Sequence, residues 1–136
     1  MYKKILIPVD MSHPEKAVNM ISVAQKLADA DTKFVMLNVA AMMPAYLEGS
    51  IPQEYLEISR KAARDKMEAV AKDVGIQAEI EVKSGKAENE ILSFAEANDI
   101  DMIIVGSHKP GFGDYLIGST AARVVRHAKC PVMVLR

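Results

Sequence analysis

The sequence predicts an α/β fold: an open five-stranded parallel sheet, strand order 3-2-1-4-5, with helices on both faces. Two observations carry this. Strand-like and helix-like patterns alternate along all 136 residues, β-α-β-α-β-α-β-α-β, and such alternation implies parallel strands joined by crossover helices. Four of the five strands are also continuous apolar runs, the mark of a sheet buried on both faces.

Each element follows from local chemistry. Lys4-Ile5-Leu6-Ile7-Pro8-Val9 is the first apolar run, and Pro8, with no N–H to give a ladder, marks its end. Ser12-His13-Pro14-Glu15 has the form of a capping box: the Ser12 hydroxyl caps the helix while Glu15 reaches back. Pro14 suits the first turn, where its missing N–H costs nothing. The helix is expected to run to about Ala30, with Ala17, Ile21, Ala24 and Ala28 on one face. Lys33 to Val39 is the second strand. Residues 40–52 show no period and hold Met42, Met43, Pro44, Gly49, Ser50 and Pro52, so a long loop is expected. Gln53 to Val74 reads as a helix with Ala62, Ala63, Met67 and Val70 inward, closed by Gly75 at the C-cap. Ala78 to Val82 alternates apolar and charged residues, as an edge strand does when its charges discourage pairing with other chains. Lys86 to Asn98 is a helix with Ile91, Leu92 and Ala95 inward. Met102 to Val105 is the fourth strand, Ser119 to Ala128 the last helix and Pro131 to Leu135 the last strand.

Composition narrows the function classes. The length suits a single domain over residues 1–136. Half the residues are hydrophobic and 26% are charged, a soluble balance. A net charge of −1 gives no global field to hold nucleic acid or a membrane surface. The single cysteine, Cys130, allows no internal disulfide, which suits a reducing cytoplasm. Asp10 interrupts the only apolar run near the start, so no membrane span or signal core is expected.

The chemistry concentrates in two places. In sheets of this kind, ligands sit beyond the carboxyl ends of the strands where the strand order reverses. Here that point lies between the first and fourth strands, so Val9–Asp10 falls beside Val105–Gly106. After Gly106 comes a loop with Gly111 and Gly113, then a helix opening at Gly118-Ser119-Thr120. Strand, glycine loop and helix start together present N–H groups and a hydroxyl to an anion, most often a phosphate. The same residues also serve as turn glycines and an ordinary cap. Asp10 can accept from ribose hydroxyls or contact Mg²⁺, or simply favour the helix dipole. A phospho-acceptor role for it lacks the supporting acidic cluster and lysine, because the third strand leads into Lys83-Ser84-Gly85 and the fifth into Arg136. His108 and Lys109 can donate to a phosphate or stand solvated in the loop.

Other motifs are excluded. Gly85-Lys86-Ala87 lacks the hydroxyl residue of a Walker loop, and Gly118 falls too late for a dinucleotide fingerprint. His13, His108, His127 and Cys130 have no metal-ligand spacing, so no metal site is expected. Cys130 reads as a small buried residue, and Met42 and Met43 as core filling or the lining of an adenine pocket or partner surface. No nucleophile–base pair marks a catalytic residue.

KKILIPVDMS and VGSHKPGFGDYLIGSTAARVVRHAKCPVMVLR resemble the first strand and C-terminal signature of the universal stress protein family, and the resemblance covers the whole chain. It implies a Rossmann-like sheet, akin to the adenine nucleotide alpha hydrolases, and homodimers paired through the C-terminal strand. The ATP-binding branch of the family carries G-x2-G-x9-G-S/T. Gly106 matches the first glycine and Gly118-Ser119 the last pair. Lys109 stands in place of the middle glycine, and the spacing is one residue short. The departure resembles a subgroup with Ser-His-Arg/Lys-Pro at this point. Carried over, Pro8, Val9 and Asp10 touch adenine and ribose, Val39 contacts adenine, Val105 and Gly106 line the adenosine, and Ser119 and Thr120 hold phosphates. Lys109 then compensates for the missing glycine by adding a cation near them. The function implied is a cytoplasmic, dimeric ATP binder, with or without Mg²⁺, acting as a stress-response regulator with a further protein partner. The alternatives are a dimeric interaction protein with an empty crevice, or a weak ATPase or autophosphorylating protein with Ser119 or Ser107 as acceptor.

Overall fold

The computed structural model describes residues 1–41, 44–47, 49–107 and 117–136. In chain order these form β1 (Lys4–Pro8), α1 (Pro14–Leu27), β2 (Lys33–Ala40), a 3-10 turn (Ala45–Leu47), α2 (Gln53–Val74), β3 (Ala78–Ser84), α3 (Ala87–Ala97), β4 (Met102–Gly106), α4 (Ser119–His127) and β5 (Val132–Leu135). The strands lie in the order β3-β2-β1-β4-β5, and every neighbouring pair is parallel. Both the class and the strand order are those expected.

The apolar runs become the two cores. Successive side chains of a strand point to opposite faces, so Ile5 and Ile7 join Met36 and Ile104 on one side. Leu6 joins Val35, Leu37, Ile103 and Val105 on the other. The first face is covered by Ala17, Met20, Ile21 and Ala24 of α1 with Met67 and Ala71 of α2. The second is covered by Ile91, Phe94 and Ala95 of α3 with Ala121 and Val124 of α4. Helices α1 and α2 thus lie on the face opposite α3 and α4. No described helix is long and apolar enough to cross a membrane.

Four expectations are corrected. Ser12 does not cap α1. Its hydroxyl donates to Asp10 Oδ1 at 2.6 Å, and the N-cap is His13, with no side-chain cap bond. The charge-assisted bond to the carboxylate two residues back turns the Ser12 side chain towards Asp10, and α1 starts one residue later. The same helix ends at Leu27 rather than near Ala30. In α2, Ala62 is exposed, and Ala63 and Val70 are only half-buried. Its 22 residues span about 33 Å, whereas the seven of β3 span about 23 Å. The first half of the helix carries little of the core, and Tyr55 and Ile58 are 62% and 67% exposed. In α3, Phe94 is buried and Leu92 only half-buried, because the inward row is Ile91, Phe94 and Ala95, spaced i, i+3, i+4.

Other details hold. Gly75 ends α2 in the left-handed region at φ 84°, and its N–H donates to the Ala71 and Lys72 carbonyls. β3 is an edge strand. Cys130 is half-buried against the second core. Burial pushes its thiol above the ordinary value, and the Asp101 carboxylate adds to this, so the sulfur stays protonated at neutral pH.

Candidate functional site

β1 and β4 are hydrogen-bonded neighbours, with Ile5 opposite Met102 and Leu6 opposite Ile103. Their chains then depart to opposite faces of the sheet, β1 into α1 and β4 towards α4. A crevice of about 470 Å³ occupies this divergence, within the roughly 300–1,000 Å³ of small-molecule sites. Seven sequence-predicted residues line it together: Pro8, Val9, Asp10, Val39, Val105, Gly106 and Thr120. Gly118 and Ser119 do not line it. Gly118 is the N-cap of α4 and Ser119 its first residue, one step behind Thr120. His108 and Lys109 lie outside the described residues, as do Gly111, Gly113, Met42 and Met43.

The floor is held by bonds that continue beyond the strands. The Val9 N–H donates to the Leu37 carbonyl at 2.8 Å, and the Val9 carbonyl accepts from Asn38 Nδ2 at 3.0 Å. On the other side the Ser107 N–H donates to the Leu135 carbonyl at 2.8 Å. Asp10 therefore sits on a chain fixed to β2, facing a chain fixed to β5. Its Oδ1 accepts from the Ser12 hydroxyl at 2.6 Å and the Ser12 N–H at 3.0 Å. These two bonds hold the carboxyl below its ordinary value, and His13 and Lys16 pull the same way against its partial burial. Asp10 is thus ionised at neutral pH, and no bond to its Oδ2 forms among the described residues.

Gly106 shows why a glycine suits this edge. Among the described residues, a Cβ built there meets only Met20 Sδ, at 3.6 Å, an ordinary contact. Packing among those residues does not demand the glycine, and its backbone lines the crevice. Gly85 is the contrast: its φ of 145° and a Cβ position 2.8 Å from Glu90 Oε1 make glycine a local requirement.

At α4 the first helical bond runs from the Ala122 N–H to the Gly118 carbonyl. The N–H groups of Ser119, Thr120 and Ala121 have no backbone partner among the described residues. This is the usual surplus of donors at a helix start, and it carries partial positive charge.

The structure adds lining residues that sequence reasoning missed: Asn38, His13, Lys16 and Met20. Asn38 had a signal, since it is the polar residue in an otherwise apolar strand run. Lys16 and Met20 join through their position on α1, which no motif announces. Among the described residues no group of three His, Cys, Asp or Glu side chains could hold a metal ion.

These features define a doubly wound α/β protein with an open crevice where the strand order reverses. The chain matches the Universal stress protein family over residues 1–136, and it belongs to that family. It is 33% identical to Universal stress protein MJ0531 of Methanocaldococcus jannaschii, covering 100% of this chain and 83% of the relative. The solved structure of MJ0577, from the same organism, superposes with a TM-score of 0.81 at 28% identity, over 99% of this chain and 96% of that one. A universal stress protein solved in complex with cAMP shares the fold at 22% identity and a TM-score of 0.64, over 99% of this chain and 97% of that one. An Arabidopsis thaliana family member solved with AMP bound shares it at 18% and 0.61, over 98% and 90%.

Proposed function

We propose that the crevice binds an adenine nucleotide, ATP foremost, and that the chain acts as a nucleotide-dependent regulator in the stress response of the cytoplasm. The observation that carries this is the bare Gly106 backbone facing the crevice beside an ionised Asp10 and the open N–H groups of α4. Val9, Val39 and Val105 supply apolar surface for the base, with Pro8 at the rim. Asp10 Oδ2 accepts from ribose hydroxyls. Gly106 lets the sugar lie against the backbone. Thr120 and the first N–H groups of α4 take the phosphates, with Gly118 and Ser119, to which the resemblance gives the same task, forming that helix start. By the resemblance to the Ser-His-Lys-Pro variant motif, His108 is proposed to donate to a phosphate and Lys109 to add a cation. Mg²⁺ commonly uses one or two carboxylates plus phosphate oxygens, and Asp10 fits that limited demand. The cAMP and AMP complexes of fold relatives agree with an adenine ligand. No catalytic role is assigned to any residue.

The regulator is proposed to be a homodimer paired through β5. Its residues Val132, Met133, Val134 and Leu135 are all only half-buried, and among the described residues β5 pairs on one side alone. An apolar edge of this kind invites a second strand. Light scattering at micromolar concentration should return a dimer, and a monomer would count against this interface.

For the nucleotide, native mass spectrometry of the purified protein should show a co-bound adenine nucleotide, or calorimetry should show binding heat on adding Mg-ATP. Absence of both would overturn the reading in favour of an interaction protein with an empty crevice.

A further inference from the structure

The crevice wall carries a cation on α1. Lys16 is half-buried and lines the crevice; its N–H donates to the His13 carbonyl, while its ammonium makes no hydrogen bond or ion pair among the described residues. The nearby carboxylates make no ion pair with it among the described residues, although its charge helps to lower the Asp10 pKa. Asp10 Oδ1 holds Ser12, Glu15 lies 3.6 Å from His13 Nδ1, and Glu88 of α3 lies 3.8 Å from Arg123 of α4.

Its position follows from the helix repeat. Residues i and i+4 share one face of a helix, so Lys16 lies in the same row as Met20. Met20 Sδ is the atom that a Cβ on Gly106 would meet. The start of α1 lies at the carboxyl edge of the sheet, so Lys16 stands one turn, about 5.4 Å, farther out than Met20, above the Gly106 gap. Thr120 and the open N–H groups of α4 approach the gap from the opposite sheet face. An anion there meets an ammonium from one side and a helix start from the other.

We propose that Lys16 is a specificity-determining residue that binds the phosphate groups of the nucleotide from the α1 side, so that the crevice selects ligands by phosphate charge. This rests on the adenine-nucleotide reading for the base and sugar. A lysine suits the role because its long stem delivers a mobile point charge and its bonds to phosphate oxygens are charge-assisted.

The test is calorimetry of wild type, Lys16→Met and Lys16→Arg with adenosine, ATP and inorganic tripolyphosphate. Met keeps the apolar stem and removes the charge. The expected result is ATP affinity at least tenfold weaker in Lys16→Met, adenosine affinity within twofold of wild type, and ATP affinity largely restored in Lys16→Arg. Loss of tripolyphosphate binding in Lys16→Met supports the phosphate role independently of the base. If wild type binds adenosine and Lys16→Met leaves ATP unchanged, or weakens adenosine equally, the role of Lys16 is overturned and the nucleotide reading stands. If tripolyphosphate binding depends on Lys16 but adenosine does not bind, the adenine reading falls and the anion site stands. If wild type binds none of the three, both fall.

Discussion

The two ends of the sheet differ in a way that volume does not capture. At the carboxyl end the crevice holds about 470 Å³. At the amino end, between the starts of β2 and β3 and the turns at Asp29 and Gly75, a hollow of about 630 Å³ opens. The larger space is the poorer candidate, because key polar groups on its wall are already engaged. The Asp29 carboxylate takes the Met1 amino group at 2.7 Å and the Asp31 N–H at 2.9 Å, and the amino group is the main cause of its pKa falling to about 2. The Thr32 hydroxyl donates to the Tyr2 carbonyl at 2.6 Å and accepts from the Asp29 N–H at 3.0 Å. At the carboxyl end, Asp10 Oδ2, the Lys16 ammonium and the first N–H groups of α4 have no such partner among the described residues. Unspent hydrogen-bonding capacity, more than empty volume, separates a binding site from a surface fold.

The sharpest way to break this comparison is Gly106→Val. The side chain fills the gap that the bare backbone leaves, so calorimetry should show nucleotide affinity at least about hundredfold weaker, or about 2.7 kcal/mol. Since the new Cβ makes an ordinary contact, thermal denaturation should change by no more than about 1 kcal/mol. Retained affinity would remove the reason for a glycine here.

Asp101→Ala is the reciprocal change near the amino end. Its carboxylate accepts the Lys3 N–H at 2.7 Å and the Lys4 N–H at 3.0 Å, fastening β1 to the start of β4. Losing these charge-assisted bonds should cost about 2 kcal/mol of stability in urea denaturation and leave nucleotide affinity untouched. A change in affinity without a change in stability would blur the division between the two ends.

The smallest effect is expected from Ser12→Ala. Asp10 has a lowered pKa in the folded chain, so its contribution to stability is present above the unfolded value near 3.8 and lost as pH falls through the lower folded value. Without the Ser12 hydroxyl, the folded pKa should rise towards the ordinary value, read from the carboxyl carbon of Asp10 in an NMR titration. No movement would show that Ser12 does not hold this carboxylate.

The sheet was readable because Ile5, Leu6 and Ile7 are all fully buried, and three apolar residues in succession admit no one-sided strand. The ends of α2 were readable because Pro52 and Gly75 punctuate them. Its buried face is not: a helical period cannot reveal where the sheet beneath the helix stops, so Ala62 is exposed where the period places it inward. The capping pattern misleads at Ser12 because it does not register a carboxylate two residues earlier. Of the site, the residues at strand ends were legible, since topology alone brings Val9–Asp10 to Val105–Gly106. Asn38 enters through the register of β2 beside β1, and Lys16 through the row it shares with Met20. Both are facts of three dimensions.

The grip of Asp101 on residues 98 and 97 positions earlier also bears on how the chain is made. β1 leaves the ribosome before the other strands, yet it ends in the middle of the sheet. Its β2 side can be satisfied soon afterwards. Its β4 side must wait for roughly sixty further residues, about 3–12 s at ordinary translation speeds. Through that interval the nascent chain presents an unpaired edge of Ile5, Leu6 and Ile7, the kind of surface that draws chaperones or stray strands. The bond that fastens β1 to β4 therefore also marks the moment at which the emerging chain is no longer vulnerable along that edge.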